Sequence, residues 1–489
     1  MQIINRNNSY HYETENLLRV FFPDEKFTTA EETDKNSDYC LVALDGTKVE
    51  IEIWVGGNRL RGEKTFSLSE KVGDESDDSF FERKAANILF DLLSDYTSYR
   101  APWGILTGVR PAKLMTKLAQ QMGKEKAREY FLTELKVSEE KTELAMMVAE
   151  NEAPLTAINS DKSFSLYISI PFCPSRCSYC SFISHSNDSP SAKKLVPEYV
   201  EKLCEEIKIT GDIAKELGLK LESVYMGGGT PTALAAEQLK KVTDAIGENF
   251  PTGNVREYTI EAGRPDSTTA EKLKVMKDCL TTRISINPQT FSDEVLKVIG
   301  RNHTSKMTLD AMEEARRQGF DNINMDLIAG LPTDTVEGFG KTLDTALSLK
   351  PENITVHTLA LKRSSNIVTE NKETNSGDVA SEMLSLVQKR LLSEDYIPYY
   401  MYRQSKSLGN LENVGWAIKG KEGLYNVYMM EEIHTILSVG AGAVTKLRSP
   451  KDSRIERIFN YKYPYEYISG FDEIIKRKEY IKEFYSKYF

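Results

Sequence analysis

Short runs rich in β-branched and aromatic residues alternate with longer amphipathic stretches between residues 165 and 361. The runs that predict strands are Leu166 to Ile170, Ser223 to Met226, Tyr258 to Glu261, Arg283 to Ile286, Ile323 to Ile328 and Ile354 to Leu361. The stretches that predict helices include Val196 to Leu217, Ala235 to Glu248 and Thr308 to Gln318. This alternation is typical of βα units around a parallel sheet. Six units are too few to close an eight-stranded barrel, so the pattern predicts an α/β fold with an open, partial barrel.

The chain before this region has a different pattern. Two β-like stretches, Tyr39 to Leu44 and Val49 to Val55, precede helical patterns that begin near Phe80. We therefore predict an accessory α/β domain over residues 1–155. Residues 153–162 read as a linker into the barrel.

The barrel is predicted to span residues 160–370 and to be followed by a mostly helical extension, 371–489, that covers the substrate. Gly440 to Ala443 indicates a tight turn, and Ile474 to Phe489 a terminal helix with a solvated face. The segment Pro102 to Pro111 is too dense in Gly, Pro and aromatic residues for a plain helix. It predicts a structured loop, either at a domain junction or at a ligand site.

Composition narrows the function classes. The net charge of the 489 residues is −10, which argues against extended nucleic-acid binding and hence against an RNA-modifying enzyme. No apolar stretch is long enough to span a bilayer, and Met1 to Glu13 carry no signal-peptide pattern, so we expect a cytoplasmic protein. Cys40, Cys204 and Cys279 are scattered singly and are predicted to be small buried residues.

Three further cysteines, Cys173, Cys177 and Cys180, form a C-x3-C-x2-C loop. Thiolates suit iron–sulfur clusters, and full protein ligation of a 4Fe-4S cluster takes four of them, so three imply a fourth iron open to another ligand. His185 offers an alternative, because it would complete a Cys3His zinc site. The apolar strand Tyr167 to Ile170 runs directly into the loop, which favours the cluster over a zinc knuckle.

Unusual polar residues follow the predicted strands. Met226 to Pro231, with three glycines, follows the second strand and allows close approach of a ligand. Glu261 closes the third strand and Asp326 the fifth, where carboxylates suit ribose hydroxyls or an ammonium. Gln289 ends the fourth strand and offers a side-chain amide. Arg301 follows on the next helix and offers a guanidinium group that can bind a carboxylate through two hydrogen bonds. Carboxyl ends of parallel strands are where such sheets carry chemistry.

Together these motifs resemble those of the oxygen-independent coproporphyrinogen III oxidase family, within the radical SAM (S-adenosylmethionine) superfamily, over residues 164–445. The segments that carry the resemblance are Tyr167 to Cys173, the glycine turn, Thr259 to Ala262, Arg283 to Ser285, Gln289 to Phe291, Arg301 and Asn324 to Pro332. The length and the added N-terminal domain are similar to the HemZ branch of that family.

The resemblance implies a radical SAM partial (β/α)6 barrel in which Cys173, Cys177 and Cys180 ligate a 4Fe-4S cluster. The residues that match the SAM-contacting positions of the family are Tyr167, Tyr179, Gly228, Gly229, Thr230, Glu261, Gln289, Arg301, Asp326, Ala360 and Ala443. The alignment permits one bound SAM or two.

The chain also departs from the family pattern. The well-characterised oxidase has a further cysteine where this chain has Phe182, a histidine where it has Ser169, and Gly-Val-Gln where it has Asn287-Pro288-Gln289. These changes leave cluster and SAM binding in place and put the identity of the substrate in doubt.

A sister branch consists of haem chaperones, which share an aromatic residue after the third cysteine. Their His-Asn-x-x-Tyr-Trp haem motif is replaced here by Glu412 to Trp416, without the histidine. His357 and His434 remain candidate axial ligands for haem.

By resemblance, the activity is oxidative decarboxylation of two propionates of coproporphyrinogen III to vinyl groups, which gives protoporphyrinogen IX. A radical derived from SAM removes a hydrogen atom, and the protein positions and shields the reactants. The expected partners are a porphyrinogen or related tetrapyrrole and a low-potential electron donor such as flavodoxin or ferredoxin, with no nucleic acid and no membrane span. Cations near the predicted mouth, which are equally well surface charges, are Arg176, Arg264, Lys362, Arg363 and Lys446. The alternatives are a haem chaperone and a radical SAM enzyme that acts on another tetrapyrrole.

Overall fold

A computed structural model describes residues 1–32, 37–73, 75–180, 185–186, 190–362, 365–370, 374–404, 406–452 and 454–489. The chain forms two compact units. Unit 1 comprises residues 1–150 with the short segments 402–405 and 409–411, and unit 2 comprises 151–401, 406–408 and 412–489.

Unit 1 contains a five-stranded sheet with the strand order β2-β1-β3-β4-β5. Its strands are β1 (Gln2–Arg6), β2 (Thr28–Thr29), β3 (Tyr39–Asp45), β4 (Lys48–Val55) and β5 (Asn58–Thr65). The helices are α1 (His11–Phe21), α2 (Asp77–Thr97), α3 (Pro111–Met122), α4 (Lys124–Thr133) and α5 (Glu139–Thr156). Alternate residues of β4 are buried, because strand side chains point in turn to opposite faces and one face packs on the core. Both strands predicted near residues 39 and 49 are thus confirmed.

The predicted linker is shorter in the structure. Helix α5 continues through Pro154 to Thr156, and only residues 157–162 connect it to the next strand. Proline lacks one amide donor, and close to the end of a helix this loss removes a single hydrogen bond. Within unit 1, the loop Pro102 to Pro111 turns at Gly104 and binds Arg403, whose guanidinium donates to the carbonyl oxygen of Leu106 and lies 5.5 Å from the Trp103 ring.

Unit 2 is built on a sheet whose described strands follow the order β14-β15-β13-β12-β11-β10-β9-β6-β16-β17-β18. Its first eight strands, including a two-residue pair beside the sheet, are β6 (Ser163–Ile170), β7 (Phe172–Cys173), β8 (His185–Ser186), β9 (Lys220–Gly228), β10 (Glu257–Glu261), β11 (Arg283–Ser285), β12 (Ile323–Ala329) and β13 (Asn353–Thr358). Strands β6 and β9 to β13 are parallel neighbours, so the six predicted βα units and the partial (β/α)6 barrel are confirmed.

Helices connect these strands and continue into the C-terminal region. They are α6 (Pro190–Glu216), α7 (Ala236–Asn249), α8 (Ala270–Asp278), α9 (Asp293–Val298), α10 (Ser305–Arg317), α11 (Val336–Ser348), α12 (Asn366–Thr369) and α13 (Gly377–Ser393). Several begin at a side-chain cap; Thr304, for example, accepts from the Met307 amide at the start of α10.

The C-terminal region contributes the expected helices and, in addition, strands that the hydrophobic pattern did not predict. The elements are β14 (Tyr396–Arg403), β15 (Glu412–Ile418), α14 (Leu424–Glu431), β16 (Thr435–Val439), β17 (Val444–Arg448), β18 (Ile455–Phe459), α15 (Pro464–Ser469) and α16 (Phe471–Tyr488). Strand β15 pairs antiparallel with β13, and β16 pairs parallel with β6, so both edges of the barrel sheet are extended. The segment Glu412 to Trp416 therefore lies in a buried strand.

The register of the parallel strands separates an apolar face from a polar one. Ile168, Met226, Ile260, Ile284 and Ile323 stand side by side in one row and are fully buried. The neighbouring positions on the opposite face are polar and mostly buried: Ser165, Tyr167, Ser169, Ser223, Tyr225, Glu257, Thr259, Glu261, Arg283, Ser285, Asn324, Asp326, Asn353, Thr355 and His357. A buried polar face of this kind needs internal partners or a ligand.

Candidate active site

The three-cysteine loop begins at the end of β7 and is anchored through its backbone. Cys177 is buried, whereas Cys173 and Cys180 are partly exposed. The Ser178 amide donates to the Ile299 carbonyl oxygen at 2.9 Å, and the Ser178 carbonyl accepts from the Ile367 amide at 2.9 Å. The loop is therefore held between the segment after α9 and the start of α12.

The three cysteines are not placed as ligands of a single metal ion. Among the residues that the structure describes, no group of three or more His, Cys, Asp or Glu side chains is placed to bind a single metal ion. A cuboidal cluster takes each thiolate on a different iron, so its three corner ligands need not converge as zinc ligands do. The backbone of His185 pairs with Phe172, and Phe182 lies outside the described residues.

The glycine turn lies directly against the chain that enters this loop. The Gly229 amide donates to the Ile170 carbonyl and the Thr230 amide to the Phe172 carbonyl, each at 2.7 Å. Gly228 has a φ of +106°, which favours glycine. A Cβ atom on Gly229 would lie 2.5 Å from the Phe172 carbonyl oxygen. The turn thus requires glycine in order to pack beside the cysteine loop.

Replacing Gly229 by alanine is expected to weaken SAM binding at least about tenfold, equivalent to about 1.4 kcal/mol, because the new methyl group displaces the turn. Isothermal titration with SAM measures the effect. Gly247→Ala is the matched control, since a Cβ there meets nothing within 4 Å on the exposed face of α7. Equal SAM affinity of the two variants would show that the turn does not contact SAM.

Two carboxylates on the polar face differ in their protonation. Burial raises the pKa of Glu261 to about 7, although the Tyr225 hydroxyl donates to its Oε1 at 2.5 Å. Burial also acts on Asp326, but the neighbouring His357, whose Nε2 lies 3.8 Å from its carboxylate, and a hydrogen bond from Asn324 outweigh burial and hold the pKa of Asp326 below the usual range. Two neighbouring acids with separated pKa values are typical of functional sites. Asp326 lies within β12, three residues before its end, rather than closing the strand as predicted.

Arg301 and Gln289 differ in position from the prediction. Arg301 lies in the loop after α9, not on a helix, because that helix ends at Val298. Its Nη2 donates to the Tyr179 hydroxyl at 2.9 Å and its Nη1 to the Asn287 carbonyl at 3.1 Å. Gln289 lies four residues past β11, with φ +68°, and its backbone amide donates to the Asp326 carbonyl at 2.9 Å. Arg301 thus connects the cysteine loop to the segment after β11, and Gln289 pairs with β12.

Ala360 and Ala443 lie at the two edges of this region. Ala360 follows β13 and pairs with Ser407. Ala443 ends the predicted turn, in which Gly440 and Gly442 have positive φ. The turn is bound to β6, since the Ser169 hydroxyl donates to the Ala441 carbonyl at 2.8 Å. The roles of the SAM-contacting residues and of the three cysteine ligands remain predictions.

Sequence reasoning missed several residues of the polar face. The rings of Tyr167, Tyr225 and Tyr425 form a cluster, in which the Tyr225 centroid lies 6.3 Å from that of Tyr167 and 4.5 Å from that of Tyr425, and those two lie 6.1 Å apart. Arg283 is buried, and its Nε and Nη2 have no hydrogen-bond partner among the described residues. The period-two alternation Ser165, Tyr167, Ser169 indicated a polar face and would have pointed to Tyr225 and Arg283 in the paired strands. No local signal pointed to Tyr425, which comes from α14.

His434 and the three cysteines outside the loop are buried or partly buried. His434 is buried with both ring nitrogens bonded, Nε2 to Ser165 at 2.8 Å and Nδ1 to Asn159 at 2.7 Å. Burial lowers its pKa to about 3. It is therefore not available as a haem ligand, which corrects that prediction. Cys40 is buried as predicted, whereas Cys204 and Cys279 are only partly buried.

The described residues fit the two cofactors that a three-cysteine loop beside a glycine turn implies. The loop offers three soft thiol donors, and the glycine turn packs directly against the chain that enters this loop. A family model described as the Radical SAM superfamily matches residues 167–346. The fold and the site thus define a radical SAM protein, and this protein binds a 4Fe-4S cluster and SAM.

Comparison with known proteins assigns the chain to a family among the radical SAM proteins. The chain is 34% identical, over 98% of its length and 96% of the relative's, to the oxygen-independent coproporphyrinogen-III oxidase-like protein HemZ of Bacillus subtilis. The haem chaperone HemW of the same organism is 41% identical over 40% of this chain and 51% of its own length. The structure of coproporphyrinogen III oxidase (HemN) from Escherichia coli, a radical SAM enzyme, covers 67% of this chain and 72% of its own, with a TM-score of 0.52 and 22% identity. The chain therefore belongs to the HemZ-like family of coproporphyrinogen-III oxidase-like proteins.

None of the described helices is both long enough and apolar enough to cross a bilayer.

Proposed function

We propose that the protein is an oxygen-independent coproporphyrinogen III dehydrogenase of haem biosynthesis. The observation that carries the proposal is the similarity to an oxidase-like relative along nearly the whole chain. When bound, the cluster and SAM supply an organic radical that removes a hydrogen atom from each of two propionates. Each propionate also loses carbon dioxide and one electron, which passes to an acceptor outside this chain, and a vinyl group remains.

The residues of the chain bind and orient the reactants in this proposal. Cys173, Cys177 and Cys180 hold three corners of the cluster, and the glycine turn, which is bonded to the chain that enters the cysteine loop, lies beside SAM. Asp326, whose pKa is lowered, stays ionised and accepts hydrogen bonds from hydroxyl or ammonium groups. The polar face keeps these groups in a largely buried environment, where the reaction is shielded from water.

The proposed substrate carries four carboxylates and needs cationic partners. Lys362, just beyond β13, lies near Lys406, because the Leu361 amide donates to the Lys406 carbonyl at 2.8 Å, and burial and the charge of Lys406 lower the pKa of Lys362. An anionic group between them would relieve this repulsion. Arg176 is exposed in the cysteine loop, Lys446 lies on β17, and Arg363 lies outside the described residues. Arg264 is buried against Asp266 and does not face a substrate.

A product assay tests the proposal. The reconstituted protein is incubated anaerobically with dithionite, SAM and coproporphyrinogen III, and a dialysed cell extract supplies the electron acceptor. We expect a product that has lost two molecules of carbon dioxide and four hydrogen atoms, together with 5'-deoxyadenosine. The same mixture with Cys177→Ala protein controls for activity in the extract. Deoxyadenosine without porphyrinogen conversion would contradict the proposal and indicate another tetrapyrrole.

The second candidate is a haem chaperone, which the 41% identity to HemW over 199 residues favours. Stoichiometric haem binding without conversion of porphyrinogen would establish it. The segment Glu412 to Trp416 lies in a buried strand, and the ring of His434 is already hydrogen-bonded. His357, which is half-buried beside Asp326, is therefore the axial ligand to test. His357→Ala should then lose haem and keep its cluster.

A further inference from the structure

The side chain of Arg264 forms three hydrogen bonds with the cysteine loop. Its guanidinium is buried, with 3% of the residue exposed. Nη1 donates to the Ser175 carbonyl at 3.2 Å and to the Cys177 Sγ at 3.5 Å, and Nη2 donates to the Ser175 hydroxyl at 3.0 Å. One side chain, from the loop after β10, thus binds three atoms of the loop, one of which is a predicted ligand sulfur.

Asp266 fixes this arginine in place. Its carboxylate accepts from Arg264 Nε at 2.9 Å and from Nη2 at 2.7 Å. A bidentate pair of this kind sets the plane of the guanidinium, so the remaining donors point in one direction. Because both partners are largely buried, the pair is screened little by solvent. The orientation of Arg264 towards Cys177 is therefore built into the fold.

A hydrogen bond and a positive charge at a ligand sulfur favour the more negative, reduced state of an iron–sulfur cluster. We propose that Arg264 is a positioning residue that holds the cysteine loop in its cluster-binding shape and raises the reduction potential of the cluster. This inference rests on the proposed assignment of Cys177 as a cluster ligand. It goes beyond that assignment, because it concerns how readily the bound cluster accepts an electron.

The test uses Arg264→Gln and Arg264→Lys in the full-length reconstituted protein. Iron and sulfide are measured first, and the reduced fraction is then followed by electron paramagnetic resonance during a redox titration. At the wild-type midpoint, the ratio of reduced to oxidised cluster in Arg264→Gln should fall about tenfold, which is 59 mV for one electron. The ratio in Arg264→Lys should fall less, because lysine keeps the positive charge but lacks the planar guanidinium group.

Arg176→Gln is the matched control, since it removes the same charge from an exposed side chain of the same loop. Its ratio should stay within about twofold of wild type, because an exposed charge is screened by solvent. An unchanged ratio in Arg264→Gln with a full cluster would overturn the proposal. If Arg264→Gln folds but does not hold a cluster, the redox titration of Arg264→Lys tests the proposal instead. A ratio of reduced to oxidised cluster equal to that of the wild type in Arg264→Lys would then overturn the proposal. Full iron in Cys177→Ala would instead refute the ligand assignment.

Discussion

Replacing Cys177 by alanine is expected to abolish assembly of the 4Fe-4S cluster. Only two of the three loop thiols would remain, and the thiolates are what hold such a cluster in a protein. Cys177 is the buried member of the loop, so no exogenous thiol can easily take its place. Iron and acid-labile sulfide per chain should fall close to zero after anaerobic reconstitution. SAM cleavage should be lost with them.

Cys204→Ala is the control for this experiment. Cys204 lies on α6, and burial raises the pKa of its thiol to about 11, so it stays protonated and is a poor ligand. Its replacement should leave the iron and sulfide contents unchanged. Circular dichroism of both variants checks that the fold persists. A full complement of iron and sulfide in Cys177→Ala would contradict the ligand assignment.

Replacing Lys478 by methionine is expected to destabilise unit 2 by about 3–5 kcal/mol. Its Nζ lies 2.9 Å from Glu206 Oε1, and the side chains are 3% and 0% exposed. Glu206 also accepts from the Gly440 amide at 2.7 Å and from the Tyr467 hydroxyl at 2.6 Å. Removal of the cation leaves a carboxylate buried without a counter-charge, which is the costly way to break such a pair.

Urea unfolding of the full chain measures this effect. In a Trp54→Phe, Trp103→Phe background, the fluorescence of the remaining tryptophan, Trp416, reports on unit 2. Lys482→Met is the control one turn along α16, because its partner Glu216 is exposed and the pair contributes less than about 1 kcal/mol. Adding Glu206→Gln to Lys478→Met should recover about 1–3 kcal/mol. If both lysine variants lose equal stability, the pair does not stabilise the unit.

Much of the barrel could be predicted because its signal is local. The strand Ile323 to Ile328, for example, alternates apolar and polar residues between two helical patterns, and in the structure it extends one residue further, to Ala329. The C-terminal strands were missed because each depends on a distant partner. Strand β16 pairs with β6, which precedes it by about 270 residues, and no local pattern records such a pairing.

The sequence by itself determined the chemistry of the site. The spacing of Cys173, Cys177 and Cys180 and the three glycines of the turn are local features, and they predicted the cluster from thiol chemistry and SAM from the family resemblance that they carry. The sequence also placed the acidic residues near the ends of parallel strands, because the βα pattern orders the strands.

Only the tertiary structure decided the environment of these residues. It placed Arg264 against Cys177, buried Glu206 beside Lys478, bonded both nitrogens of His434 and stacked Tyr425 on Tyr225. Each of these contacts joins residues that are far apart in the chain. Burial and the sign of neighbouring charges set pKa values and hydrogen-bond strength, and both depend on which distant segments the fold brings together.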